Sequence, residues 1–440
     1  MTEKNNAILI RSAAHRFTGS PTDYDPLLQA VGDARLVLLG EASHGTHEFY
    51  RHRAQITKRL IAEKGFNAVA VEADWPDAYR INLFVRRESE DRDAIDSLSG
   101  FERFPTWMWR NADVLDFIGW LRHHNDHHRH QAGFYGLDLY SLHASIRAVL
   151  DYLDKVDPEG AKRARYRYSC FEDFGEDTQA YGYAAGFKLS KSCENEVVSQ
   201  WMEMRRRAAD LAHRDGTVLP DAYFFAEQNA RLVKNAEQYY RAMFHERVSS
   251  WNLRDQHMAE TLSALVQHLG AHRAKVVVWA HNSHLGDARA TQMGEQGELN
   301  LGQLVREKWG KESFLAGFTT YTGSVTAASN WDAPAERKHV RPALPGSVES
   351  LFHHTRLANF LLMTHAEARV CSVLEDPRLE RAIGVIYRPE SERVSHYFEA
   401  RLAAQFDAVM HFDETRAVEP LEREQLWEAG EVPETFPSAL

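Results

Sequence analysis

Cysteine is scarce in this 440-residue chain: there are three, Cys170, Cys193 and Cys371. They form no C-x-x-C pair and their number is odd, which argues against a disulfide framework and a cysteine-ligated zinc site. No run approaches the ~18 apolar residues of a membrane-spanning helix. The start, Met1-Thr-Glu-Lys-Asn-Asn, lacks the basic-then-apolar pattern of an export signal. Both absences point to a cytoplasmic protein with no membrane partner. Positive charge is also in short supply. The 52 Lys and Arg face 63 Asp and Glu, a net charge of −11, whereas a nucleic-acid binder usually shows a basic patch or stripe. The short basic run Arg205 to Arg207 falls in a helical pattern and reads as a solvated face. There is no G-x-S-x-G elbow, no internal repeat and no low-complexity linker.

What is present is an ordinary globular composition, 44% hydrophobic and 26% charged, with several apolar runs of strand length. They cover residues 35–39, 67–72, 133–137, 275–279, 314–318, 383–387 and 408–412. Most lack strict alternation, as suits strands buried on both faces. Helical patterns lie between several of them. One spans 49–64, with Phe49, Ile56, Leu60 and Ile61 in register and Gly65 as a C-terminal stop; others span 114–121 and 301–309. Alternating strands and helices predict an α/β protein with a mostly parallel, doubly wound sheet. From about 142 to 269 the alternation gives way to long helical patterns, clearest over 227–244 and 254–269. This predicts a large helical insertion covering the active-site edge, between two parts of the core at 1–141 and 270–440. The tail at 429–440, with Pro433 and Pro437, is expected to fray.

Two of the apolar runs share a plan. Leu36-Val-Leu-Leu-Gly-Glu-Ala-Ser-His-Gly45 and Val276-Val-Val-Trp-Ala-His-Asn-Ser-His-Leu285 both end abruptly in histidines. As parallel strands they would deliver these to one sheet edge, where open α/β sheets bind ligands. Other strands end in Glu72 and Asp74, in Asp138, and in Thr319, Thr320 and Tyr321. Burying such groups costs several kcal/mol each unless they are paired, a cost proteins accept mostly at functional sites.

Glu41 and His44 lie three apart between Gly40 and Gly45. Glycine lets the backbone turn sharply and approach a ligand closely. A carboxylate beside an imidazole orients it as a general base for water. Ser43 and Ser283 lack the context of a nucleophile and read better as helix caps, and none of the cysteines lies beside a histidine motif, so water is the favoured attacking group. Arg53, two and a half turns beyond His44, could return to the sheet mouth and hold a carboxylate or an oxyanion; the competing reading is a helix-surface arginine, as for Arg51. Trp75, the segment Phe104-Pro-Thr-Trp-Met-Trp109 with Trp107 at its centre, Tyr135 and Tyr140 suggest an aromatic cleft for an organic substrate, though core packing explains any one of them equally well. A divalent metal held by His44, His47, His281 and His284 with Glu41 and Glu72 is an alternative. His47 and His52 are five apart and do not share a helix face, so they do not form a zincin pair. The histidine run at 123–130 reads as a solvated connector.

At these residues the sequence resembles the erythromycin esterase family. The resemblance rests on Gly40-Glu-Ala-Ser-His-Gly-Thr-His-Glu-Phe-Tyr50, Val71-Glu-Ala-Asp-Trp75, Arg80-Ile-Asn82, Phe104-Pro-Thr-Trp-Met-Trp-Arg-Asn111, Tyr135-Gly-Leu-Asp138, Trp251-Asn-Leu-Arg-Asp-Gln-His-Met258 and Trp279-Ala-His-Asn-Ser-His284. It implies an α/β core with a helical domain over a cleft, and hydrolysis of a macrolactone ester by histidine-activated water with no covalent intermediate. Carried over, His44 is the base and Glu41 its partner, and Glu72, Arg53, His281 and His284 complete the catalytic set. Trp75, Trp107, Asp138 and Tyr321 are expected to meet the substrate, a small ester or a macrolide. No cofactor is expected on this reading. A metal-dependent hydrolase and a haem- or small-ligand-binding protein are the competing classes. The resemblance does not name the natural substrate.

Overall fold

The computed structural model describes residues 2–208, 210–211, 221–244, 247–423 and 427; the tail expected to fray lies outside them. Among the described residues, nine strands form one sheet in the order β1-β8-β11-β6-β2-β5-β3-β4, with β7 paired to β6. These are β1 (His15–Arg16), β2 (Leu36–Leu39), β3 (Ala68–Asp74), β4 (Gly133–Asp138), β5 (Val276–Trp279), β6 (Ser313–Ala327), β7 (Glu336–Val340), β8 (Asn359–Met363) and β11 (Ala408–Thr415). From β11 through β6, β2, β5 and β3 to β4 all neighbours are parallel, and β1, β7 and β8 join antiparallel at the margins. A separate hairpin joins β9 (Arg378–Arg381) to β10 (Tyr397–Ala400).

The apolar runs are continuous because both faces of the sheet are covered. Leu36, Leu38, Val276 and Val278 fall in one apolar cluster, and Val37, Leu39, Val277 and Trp279 in another, as the two-residue period of a strand requires. Helix His47–Lys64 packs on the second face through Phe49, Ile56 and Leu60, and ends at Gly65 in the left-handed conformation with φ 69°. The helices of 142–269, among them Leu142–Val156, Ala222–Ala242 and Arg247–His268, share the first face's cluster through residues such as Val149, Leu232 and Leu262. No strand interrupts that stretch among the described residues.

Three expectations need correction. Residues 383–387 form no strand; Ile383 makes an isolated bridge to Ser43, and Ile383 and Tyr387 fill a small cluster against Val325 and Val340. An apolar run signals burial, and here the burial is in a loop. β8, inserted antiparallel beside β11, is a strand the sequence patterns do not single out. Cys170 and Cys193 form a disulfide within the helical stretch, Cα to Cα 5.9 Å, leaving Cys371 free. Spacing alone gave no sign of that bridge, because only the packing of the helices brings the two together.

Two glycines decide how closely the site's elements can pack. A Cβ on Gly40 would lie 2.1 Å from Oδ1 of Asn282, and one on Gly45 would lie 1.8 Å from the Thr326 carbonyl oxygen. The room they leave is filled by the protein itself rather than by a ligand. The Gly45 carbonyl accepts from Thr326 N–H at 3.0 Å and Val418 N–H at 2.9 Å, so the backbone on the far side cannot yield. Gly45→Ala is therefore expected to destabilise the fold by at least the ~1–3 kcal/mol typical of overpacking, read as a lower midpoint in urea unfolding.

Behind the turn after β5 lies a buried acid, Glu380. Burial, and after it the charge of Glu349, pushes its carboxyl up to about 8. Asn282 Nδ2 donates to it at 3.2 Å. An acid raised in the folded state is neutral there while the unfolded chain has already ionised, so stability falls as pH climbs from the ordinary 4.5 to about 8. Glu380→Gln removes that dependence. Its advantage over the wild type should grow across this window to a few kcal/mol and then level off, as measured by denaturant unfolding at pH 5, 7 and 9.

Candidate functional site

Strands β2 and β5 are parallel neighbours in register, Leu36 opposite Val276 and Leu39 opposite Trp279. The two histidine-ended segments therefore leave the sheet side by side. Asn282 N–H donates to the Glu41 carbonyl at 2.8 Å. The Asn282 side chain gives Nδ2–H to the Phe318 carbonyl at 2.8 Å and takes Phe318 N–H at 3.3 Å. Its amide thus acts as one more peptide unit against β6 and pins the turn that carries His281 and His284.

Glu41 is fully buried. His44 Nδ1 donates to its Oε1 at 2.9 Å, and Arg53 Nη2 lies 2.8 Å from its Oε2, an ion pair not aligned as a hydrogen bond. Arg53 is buried from solvent, with its guanidinium 4.5 Å from the Tyr50 ring centroid and 5.1 Å from that of Trp279. It returns to the sheet mouth but stops beneath Glu41, where it can neutralise the acid and cannot reach an oxyanion. Because a carboxylate only accepts, the imidazole proton sits on Nδ1. Nε2 then turns its lone pair toward Glu72, whose Oε1 is 3.9 Å away. Tyr50 donates its hydroxyl to the His44 carbonyl at 2.7 Å and fixes the turn.

The His281 ring lies 5.0 Å from that of His44, centroid to centroid. Its Nδ1 faces Ser283 Oγ at 2.8 Å and accepts Ser283 N–H at 3.2 Å. A nitrogen that accepts a backbone N–H carries no proton, so His281 holds its hydrogen on Nε2, which is buried, near the Ala42 carbonyl, and makes no well-aligned hydrogen bond among the described residues. Burial, and next the neighbouring His44, lowers its pKa to about 3 and keeps it neutral. Glu72 takes the His281 backbone N–H on Oε2 at 2.8 Å. Burial opposes ionisation of Glu72, but His284, Arg254 and His44 outweigh it and hold this carboxyl below its usual range.

The charge at the centre of the cluster comes from Arg254, on helix Arg247–His268. It donates to Asp138 at 2.9 and 2.6 Å, to Glu72 Oε1 at 2.7 Å and to His284 Nε2 at 3.0 Å. Its neighbour Asp255 accepts from His284 Nδ1 at 2.9 Å. His284, Glu72 and Asp138 stand out in the sequence, whereas Arg254 and Asp255 sit in a helical pattern as adjacent opposite charges and resemble a solvent face. A signal was there. Trp251, Arg254, Asp255 and Met258 stand at i, i+3, i+4 and i+7, so charge interrupts what would otherwise be an apolar stripe.

These groups border a cavity of about 630 Å³. His44, Glu72, Asp138, His281 and His284 face it, with Arg254. Aromatics line it as expected, but not all the expected ones. Phe104, Trp109, Tyr140, Trp251 and Trp331 are there. Trp75 is instead buried against Tyr79, Tyr135 and Phe225, donating to the Phe225 carbonyl at 3.3 Å. Trp107 belongs to the apolar cluster under the sheet. Tyr321 stacks on His353 at 3.8 Å and lies off the cavity wall. Each follows a strand end or motif closely in sequence, but the chain turns it into packing.

Among the described residues no group of His, Cys, Asp and Glu is arranged to hold a metal ion. His47 is drawn away to Asp113 at 2.8 Å and His52 to Tyr24 at 2.8 Å. The histidine run at 123–130 ends helix Ala112–His127 rather than forming a connector, and His124 stacks on Trp120 at 5.1 Å.

Comparison with known proteins gives the family and the fold. The model of the erythromycin esterase family matches residues 61–415. A putative hydrolase of Bacillus subtilis, YbfO, is 22% identical over 401 residues, covering 87% of this chain and 84% of that protein. Erythromycin esterase type II of Escherichia coli is 21% identical over 319 residues, covering 69% of this chain and 73% of that one. A solved protein of Bacillus cereus superposes with a TM-score of 0.81 at 19% identity, over 96% of this chain and all of the other, and so has the same fold. The chain belongs to the erythromycin esterase family, and membership supports a hydrolase.

Proposed function

We propose that this hydrolase cleaves a carboxylic ester by direct attack of water, with His44 as the general base. The observation that carries the reading is the opposite polarity of two facing imidazoles. His44 presents a lone pair on Nε2, fixed by Glu41 on the other nitrogen. His281 presents a hydrogen on Nε2, fixed by Ser283. Water held between them gives its proton to His44 while its oxygen attacks the ester carbon. The carbonyl oxygen gathers negative charge and receives the His281 Nε2–H. A neutral imidazole can fill this role, because it keeps one N–H to donate while carrying no charge in the buried site. Glu41 stabilises the imidazolium that forms on His44. That proton then passes to the alkoxide as the tetrahedral intermediate collapses, giving an acid and an alcohol.

A serine nucleophile fits less well. The Ser283 hydroxyl reaches His281 at 2.8 Å, but an imidazole held neutral down to about 3 is a poor base. The geometry also favours a reaction that needs no metal. Glu72, Asp138 and His284 would be the groups to draw a cation, and the Arg254 guanidinium already stands among them. On the cavity wall Trp331, half exposed, packs on Phe104 at 5.1 Å, an apolar surface that suits a bulky organic ester. The name of the type II esterase makes a macrolactone the first candidate.

Two experiments test the reading. His44→Ala should keep the fold and lose about 10²–10⁴ in turnover, the usual worth of general-base assistance; hydrolysis at the wild-type rate would refute the assignment. Protein stripped of metal, with the removal checked by elemental analysis, should retain full activity. Both need a working substrate, to be found by following ring opening and hydrolysis by mass over macrolides of different ring size and simple aryl esters. Hydrolysis of aryl esters alone would place the natural substrate outside the macrolides.

A further inference from the structure

Arg254 does not belong to the sheet. It comes from helix Arg247–His268, which brings one face, Trp251, Arg254 and Asp255 at i, i+3 and i+4, against the ends of three strands. The Trp251 ring lies flat on His284, centroids 4.5 Å apart and planes 8° off parallel. Asp255 takes His284 Nδ1–H and also Leu301 N–H at 2.8 Å. Arg254 reaches furthest. Its two contacts to Asp138 leave Nη2 on Glu72 Oε1 as well, and Glu72 spends its other oxygen on the His281 backbone.

We propose that Arg254 is a positioning residue for hydrolysis at His44: through Glu72 it fixes where His281 stands relative to His44, and through His284 it seats the helix on the strand ends. This rests on the reading of His44 and His281 given above. The guanidinium fork suits the task because it spans two carboxylates and an imidazole at fixed angles, which an ammonium cannot do. A lysine could supply charge at one point only.

His284 registers the clamp. A guanidinium only donates, so the nitrogen facing it at 3.0 Å must offer a lone pair. Glu72 Oε1, 3.4 Å from the same nitrogen, would draw a proton onto it. The charged and titratable groups around His284 are Asp255 and Arg254 on the helix, Glu72 on β3 and His281 in its own turn. Burial alone would lower its pKa; Asp255 and Glu72 outweigh burial and raise it, and Arg254 resists the rise. Removing Arg254 frees both Glu72 and the nitrogen, so His284 must become more basic. Loss of ordinary packing in a protein that stays folded has no such signature.

The test uses the full chain with Arg254→Ala, Arg254→Lys and Asp138→Asn, an ester that the wild type hydrolyses, and NMR titration of His284 without substrate. Arg254→Ala should lower kcat by about 10²-fold or more, on the scale of losing a preorganised polar group, with KM changed by only a few-fold. Free guanidinium at millimolar concentration should restore part of kcat, and sodium chloride at equal ionic strength should not. Arg254→Lys should stay well below the wild type. The His284 titration should move up in Arg254→Ala. A folded Arg254→Ala with kcat within about threefold of the wild type, or with His284 titrating at or below its wild-type position, overturns the proposal. If Arg254→Ala does not fold, Asp138→Asn decides: it loosens one arm of the fork, so kcat should fall about tenfold at constant KM, and an unchanged kcat overturns the proposal. If the wild type cleaves no ester, the reading of His44 fails, while the His284 titration still decides for or against Arg254.

Discussion

A parallel sheet that is apolar on both faces gathers its polar ends at one edge, and there it must hold several charges out of water. Glu41, Glu72, Asp138 and Asp255 are all at most 4% exposed. Left unpaired, each would cost several kcal/mol. Two guanidiniums meet the demand. Arg53 answers Glu41 from beneath, and Arg254 answers Glu72 and Asp138 from above. His284 completes the balance between Asp255 and Arg254. The ionised Glu72 and the orientation of His44 follow from this neutralisation, and burial keeps His281 neutral beside them.

The two arginines divide the work by where they come from. Arg53 rises from a helix on one face of the sheet and is sandwiched by Tyr50 and Trp279. Enclosed by aromatic rings, a weakly hydrated planar cation costs less to bury than an ammonium would. It lies 2.8 Å from Glu41 without touching the cavity, so its effect on His44 passes through the acid. Arg254 comes from the other face and borders the cavity. One arginine is part of the foundation; the other is a tie between two bodies of structure, the sheet and the helices laid over it.

How much of this could be read from the sequence depended on the range of the information each feature needs. The β2 and β5 runs, their shared edge and the histidines at their ends were legible, because strand burial and abrupt polarity are local patterns. His44 and Glu41 were legible for the same reason, being three residues apart. Arg53 was placed in the right region with two readings open, and its spacing could not show that it stops below Glu41. Residues 383–387 looked like a strand because burial, not pairing, is what an apolar run reports. Trp75, Trp107 and Tyr321 were misplaced at the cavity because adjacency in sequence to a strand end does not fix which way a ring turns. Arg254 and Asp255 were missed because their partners are as much as 182 residues away in sequence, and a charged pair on a helix ordinarily faces water.

The glycines carry the same lesson to the backbone. Gly40 and Gly45 flank His44, and their lack of a side chain suggests room for a ligand. The room is taken by Asn282 and by the Thr326 carbonyl. This changes what the turn does. With Asn282 paired to Phe318 as a peptide would be, and its own N–H on the Glu41 carbonyl, the segments bearing His44 and His281 are bonded to each other and to β6 before any substrate arrives. The 5.0 Å between the two imidazoles therefore rests on the backbone and side-chain hydrogen bonds of Asn282 and on two absent methyl groups, with Glu72 holding the His281 N–H as a further tether. A distance fixed in that way costs little to reorganise, and in the proposed hydrolysis, where charge develops on the ester oxygen, that is the condition under which a donor such as His281 contributes most.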